Sequence, residues 1–213
     1  MDSRNNKLKD GLVGFLTAAG DIMALNILWF ICSLPIITIG PATTAMFSVA
    51  LKHANDDPVT VLRGFFTAFK NNFKQSLVLG AFNIFAIITL YADYCYIVAV
   101  EGFIRKLYIV IAILVVGILL IIDSYAYALI ARFENTLKGH IINAFKLAFI
   151  NPVQTIVMWS IYALPILMFL FIQPIVLLYI GWFFILFIFA LPACFNSRIL
   201  IGVFKKIEDK KEK

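Results

Sequence analysis

The sequence predicts an all-α, polytopic membrane bundle of about six membrane segments, with two amphipathic helices set between them. Three observations carry that prediction. The chain of 213 residues is 62% hydrophobic and only 14% charged, with a mean hydropathy of +0.96, whereas a soluble domain is about half apolar and about one quarter charged. Its uncharged stretches are long enough to cross about 30 Å of hydrocarbon as helix, which takes about twenty residues. Threaded through a bilayer, these stretches leave sixteen of the 18 Lys and Arg residues on one side. A soluble enzyme, a disulfide scaffold and a disordered tail are excluded by the same numbers. The density of Ile, Leu, Phe and Val without polar alternation excludes a transmembrane barrel, whose lumen face would be polar.

Residues 1–20 form a basic amphipathic N-terminal segment with Arg4, Lys7 and Lys9. It does not read as a cleavable signal, because Asp10 and Asp21 follow the basic stretch and the apolar run exceeds an h-region. Residues 22–53 read as a hairpin broken by Pro35, Gly40 and Pro41, since proline removes an amide donor and biases the residue before it towards extended geometry. A single crossing here would split the cations thirteen to five. A hairpin splits them sixteen to two, with only Arg105 and Lys106 outside, and the positive-inside rule selects it. Length leaves open whether its second arm crosses or re-enters. Then come an amphipathic helix (58–75), spans at 77–100 and 107–131, a second amphipathic helix (136–150), and spans at 153–172 and 174–197 joined at Gln173–Pro174. A basic tail (198–213) follows, and both termini are expected in the cytoplasm.

In 58–75, Leu62, Phe65, Phe66, Phe69 and Phe73 fall on one helical face and Arg63, Lys70 and Lys74 on the other. Asp57 before Pro58 reads as its N-cap. In 136–150, Leu137, Ile141, Phe145 and Phe149 stack similarly, with Lys138 and Lys146 available to lipid phosphates. Helices of this kind lie in the headgroup plane, and they could equally cap the bundle or dock a partner. Leu62-Arg63-Gly64 with Ala68-Phe69-Lys70 and Phe73 resembles Leu137-Lys138-Gly139 with Ala144-Phe145-Lys146 and Phe149. Each copy leads into two spans of the same orientation, the pattern of a parallel duplication.

Ionisable groups inside lipid are costly unless paired or wetted. Asp123 is the most conspicuous, and at helical rise it shares a depth with Asn83 and Asn26, with Tyr127 one turn away. Asn26, Asn83, Asp123 and Tyr127 are therefore a candidate polar site, either a cation or proton site or an interhelical hydrogen-bond clasp. Asp93 lies near the outer end, where Arg105 or Lys106 is expected to pair with it. Cys32, Cys95 and Cys194 stand singly in apolar segments as packing thiols. His53 and His140 read as amphipathic surface residues. No P-loop, GxGxxG, HExxH or GxSxG occurs, so no enzyme, metal or cofactor is expected. The net charge of +3 in the tail reads as an orientation anchor against anionic lipid, with no nucleic-acid partner.

The run Ser33-Leu34-Pro35-Ile36-Ile37-Thr38-Ile39-Gly40-Pro41-Ala42-Thr43-Thr44-Ala45 is similar to one in the YesL-like bacterial membrane family, a domain of unknown function. Ala68-Phe69-Lys70-Asn71-Asn72-Phe73-Lys74-Gln75, Ala131-Arg132-Phe133-Glu134-Asn135, and Leu191-Pro192-Ala193 with Asn196 extend the resemblance over residues 20–205. It implies a multi-pass protein often encoded beside carbohydrate ABC-transporter components. Two motifs gain a physical reading from it. The hairpin break (Pro35, Thr38, Gly40, Pro41, Thr43) frees backbone groups that Thr38, Thr43 and Thr44 could satisfy, because lipid offers no partner. Arg132, Glu134 and Asn135 mark the boundary where a span meets the cytoplasm, with a clasp to the first hairpin expected from Arg132 or Glu134.

Two functions follow. One is a non-enzymatic accessory or regulatory component of carbohydrate transport, acting through transporter subunits, another membrane protein or a second copy. The other is a small-solute or ion transporter or channel built on the broken hairpin and Asp123.

Overall fold

A computed structural model describes residues 2–99, 101–171 and 186–211. Its helices are α1 (Asp2–Ser33), α2 (Ile39–Ala54), α3 (Val61–Asn71), α4 (Phe73–Ala99), α5 (Phe103–Arg132), α6 (Leu137–Ile150), α7 (Pro152–Phe171) and α8 (Ala190–Lys211), with a 3-10 turn at Ile36–Thr38. The described residues hold no strand. Gly11–Ser33, Phe73–Val98 and Phe103–Arg132 are long and apolar enough to cross a membrane, and the pair α6–α7, bent by 102°, adds a fourth candidate. The expected turn at Gln173–Pro174 lies outside the described residues.

One short helix organises the rest. α2 packs against α1, α3, α4, α5 and α8, and from Gly40 to Leu51 every residue except half-buried Thr43 is buried. Its small side chains, Ala42, Thr44, Ala45, Ser48 and Ala50, let neighbours come close, which is what drives helix association where lipid removes the hydrophobic contrast. The closest approach is a glycine pair. A Cβ on Gly80 would lie 3.0 Å from Gly40 Cα, and one on Gly40 would run into the Ser76 carbonyl.

Burial is concentrated at one end of the bundle. α5 is exposed or half-buried from Phe103 to Ser124, then buried at six consecutive residues, Tyr125–Ile130. The core there joins α2, the end of α5, Leu25 of α1, Phe65 of α3, Ala144 of α6 and Leu200 and Phe204 of α8. The other ends of α4 and α5 carry exposed Tyr91, Tyr94, Tyr96 and Phe103, a band of the kind that marks a membrane interface.

Several boundaries differ from the sequence reading, each for a local reason. The N-terminal segment is not separate, because α1 runs unbroken from Asp2. The hairpin breaks at Pro35 alone. Pro41 sits in the first turn of α2, where a missing amide costs no hydrogen bond. The N-cap of α3 is Thr60, not Asp57: Asp56 adopts φ 59° and the Asp57 amide turns back to the Lys52 carbonyl at 3.0 Å. The basic tail is the end of α8, with Leu200, Ile201, Val203 and Phe204 buried. The segment 58–75 divides at Asn72 into α3 and the start of α4.

The two amphipathic helices share more than the matching residues. Asn72 and Asn151 each close an amphipathic helix, donating Nδ2 to the carbonyl four residues back, Ala68 and Leu147, at 3.1 Å. Four residues later Ser76 and Thr155 reach back to α2 and α5, the helices on which α3 and α6 pack. Ser76 Oγ donates to Thr44 Oγ1 at 2.7 Å, and Thr155 Oγ1 lies 2.9 Å from the Tyr125 hydroxyl.

Gly40→Ala is expected to cost about 1–3 kcal/mol by overpacking, read as a lower melting temperature in detergent. Gly117→Ala, facing open space, should show no loss.

Candidate functional site

Three of the four polar residues expected inside the membrane come together. Asn83 projects from α4 towards α5, where Asp123 and Tyr127 lie one helical turn apart on one face. Asn83 Nδ2 donates to Asp123 Oδ1 at 2.9 Å, to Asp123 Oδ2 at 3.0 Å and to the Tyr127 hydroxyl at 3.0 Å. Two amide hydrogens are thus shared among three acceptors, while the buried Asn83 Oδ1 has no partner. The arrangement ties α4 to α5 by the hydrogen bonds that a desolvated carboxyl group needs.

Asn26 is not part of this cluster. Its Oδ1 accepts from the Phe189 and Ala190 amides at 3.0 and 2.9 Å, closing the start of α8 from α1. Trp29 beside it stacks on Phe189 with ring centroids 4.1 Å apart and donates Nε1 to Thr43 Oγ1 at 3.0 Å. The depth estimate was sound for helices in contact, but it could not tell which helices touch.

The hairpin break is closed mainly by its own threonines, while the buried Ser33 Oγ has no partner. Thr38 Oγ1 lies 2.6 Å from both the Cys32 and the Pro35 carbonyls, and the Thr38 amide donates to Pro35 O at 2.7 Å. Thr43 donates to Ile39 O at 2.8 Å, while Thr44 is spent on Ser76. Gly40 and Pro41 serve the α4 crossing and the first turn of α2, so the five residues divide between closing the turn and packing it.

At the boundary motif the partner differs from the expected one. Arg132 pairs with Glu208 of α8 at 3.2 Å, not with the hairpin, and its guanidinium lies 5.8 and 6.0 Å from the Phe133 and Phe204 rings. The buried Phe204 brings α8 alongside, which a reading of the tail as solvated missed. Glu134 is exposed. Asn135 is architectural: its Oδ1 accepts from the Thr136 amide at 2.8 Å and its carbonyl accepts from Gln75 Nε2 at 2.9 Å.

Other expectations are corrected here. Among the described residues Arg132–Glu208 is an ion pair and His53 Nε2 lies 3.9 Å from an Asp21 carboxylate oxygen, and Asp93 pairs with neither Arg105 nor Lys106. His140 is buried, 1% exposed, because α6 turns His140, Ala144, Leu147 and Ala148 inward and leaves Phe145 and Phe149 outside. The hydroxyl pairs Thr44–Ser76 and Tyr125–Thr155, and the 2.7 Å bond from Trp159 Nε1 to Ser124 Oγ, were not foreseen. In the register of the matched residues Asn72 falls opposite Ala148, short of Asn151, so residue matching did not point to Ser76 and Thr155.

Residues 22–94 match the family described as "Protein of unknown function, DUF624", a stretch holding the hairpin, α3 and most of α4. The chain is also 26% identical over 157 residues to "Uncharacterized protein YesL" of Bacillus subtilis (strain 168), covering 72% of this chain and 74% of that protein. No solved structure gives a significant match.

A double-mutant cycle on Asn83→Leu and Asp123→Leu, followed by thermal unfolding in detergent, should return a coupling of about 1 kcal/mol. Additive losses would mean that the two side chains do not act as a clasp.

Proposed function

We propose, from its likeness to the YesL-like DUF624 family, that this chain is a multi-pass protein of the bacterial cell membrane that works without enzymatic chemistry, as an accessory or regulatory component of carbohydrate ABC transport. One observation supports this reading over transport by the chain itself. Polar groups within its helices bind helix to helix, through Asn83–Asp123–Tyr127, Thr44–Ser76, Tyr125–Thr155 and Ser124–Trp159. What is left on offer is the outside of α3 and α6. Leu62, Phe66, Phe145 and Phe149 are exposed beside Arg63, Lys70, Lys138 and Lys146, a surface suited to the headgroup plane and to a partner seated there. The carbohydrate link rests on the family resemblance.

In the topology proposed, both termini are cytoplasmic, α4 and α5 cross, and the first hairpin re-enters. Gly40 meets α4 at Ser76 and Gly80, and α4 continues nineteen residues beyond Gly80, about 28 Å of helix. The hairpin turn accordingly sits well short of the far end of α4. Its exposed Leu34, Ile36 and Ile37 suit hydrocarbon, and Thr38 supplies the bonds that lipid withholds. The second reading, a small-solute or ion conductor, is favoured only by the intramembrane carboxylate of Asp123.

Mild detergent extraction of native membranes should co-purify a sugar-transporter subunit, and deletion should reduce sugar uptake. Capture of no membrane protein together with unchanged uptake would count against the accessory role. For topology, a single cysteine at Ile37 in a chain with Cys32, Cys95 and Cys194 replaced should resist an impermeant maleimide added to intact cells. Sealed vesicles carrying the purified protein should stay tight to protons and sugars. A leak abolished by Asp123→Asn would favour the conductor instead.

A further inference from the structure

Where α2, α5 and α8 finish, the fold leaves a cavity of about 460 Å³ lined by Lys52, Asn55, Asp57, Arg132, Phe133 and Glu208 among others. Its volume lies within the roughly 300–1,000 Å³ of small-molecule clefts. Four charged side chains from three distant parts of the chain line it, two of each sign. They are not all spent on one another. Arg132 holds Glu208 through contacts of 3.2 to 3.4 Å, but Lys52 and Asp57 form no ion pair with any described residue.

The positions of Lys52 and Asp57 are built by the backbone. Lys52 sits in the last turn of α2, and Asp56, at φ 59°, reverses the chain so that the Asp57 amide returns to the Lys52 carbonyl. Asn55 Nδ2 then donates to Asp57 Oδ2 at 3.0 Å, fixing the carboxylate. Opposite them, Arg132 is held from behind by the Phe133 and Phe204 rings. A cation and an anion thus face one space from the α2 side, with a second such pair across from them.

We propose that this cavity binds a zwitterionic group, a primary ammonium a few bonds from an anionic phosphate or carboxylate. Lys52 and Arg132 take the anion, and Asp57 and Glu208 accept from the ammonium. A purely anionic ligand would leave both carboxylates facing it, and a purely cationic one would face both cations. The same chemistry is offered by a phosphatidylethanolamine headgroup and by a free zwitterion, and the proposal is independent of any role in sugar transport.

The test uses the full chain in mild detergent, titrated calorimetrically with O-phosphoethanolamine, phosphocholine, ethanolamine and inorganic phosphate. In parallel, the protein in bilayers of phosphatidylethanolamine mixed with phosphatidylcholine is released into native mass spectrometry. Saturable binding of O-phosphoethanolamine at least about tenfold tighter than either half identifies a free zwitterion. Selective retention of phosphatidylethanolamine without binding of the free compound identifies a headgroup. In either case Lys52→Gln and Asp57→Asn, which alter exposed side chains, should each weaken binding about tenfold or more at an unchanged melting temperature, while Lys205→Gln leaves it intact. No binding in either arm, equal binding of phosphocholine, whose quaternary nitrogen has no hydrogen to give Asp57, or equal loss in Lys205→Gln would overturn the proposal.

Discussion

In a solvent as apolar as the side chains, helices gain little from hiding Leu from lipid, so they associate through close fit and shared hydrogen bonds. α2 meets that constraint for the whole bundle. Its run of Gly, Ala, Thr and Ser admits five neighbours, one of them, α4, both at backbone range and through a buried hydroxyl, and its own length of sixteen residues is too short to serve as an independent span. The placement of Arg132, Glu208 and Asp57 around one space follows from the ends of α2, α5 and α8 meeting, and that meeting depends on what α2 lets approach it.

Helices and their order were legible because apolar runs and the period of Leu62, Phe65, Phe66 and Phe69 are local properties. The clasp of Asn83, Asp123 and Tyr127 was legible too, because consecutive long helices joined by a short turn must pair, and depth along them can be counted. Asn26 was misassigned since its partners, the amides of Phe189 and Ala190, lie 163 and 164 residues away, and nothing local states that α8 returns to α1. The same blindness hid Glu208 behind the reading of a charged tail. Asp57 had the right chemistry for a cap, but the positive φ of Asp56 sent it elsewhere.

The paired asparagines give the amphipathic helices a defined relation to what precedes them. In each copy a helix on which the amphipathic element lies, a hinge amide that closes it, and a hydroxyl that ties the next helix back make a closed triangle of contacts. Thr44 and Tyr125 are different residues in the same office, and the hinge asparagines stand out of the register of the matched residues, so residue matching did not reach this pattern.

The uneven distribution of burial has a last implication. Between Phe85 and Ile121 the limb formed by α4 and α5 carries few buried side chains, Ala86 and Ile97 among them, while the tightly fitted residues begin at Tyr125. Whole turns could be added to or removed from that limb in register without disturbing a residue of the hub, so its length is free to follow the thickness of the host bilayer, whereas the hub can accept hardly a methyl group.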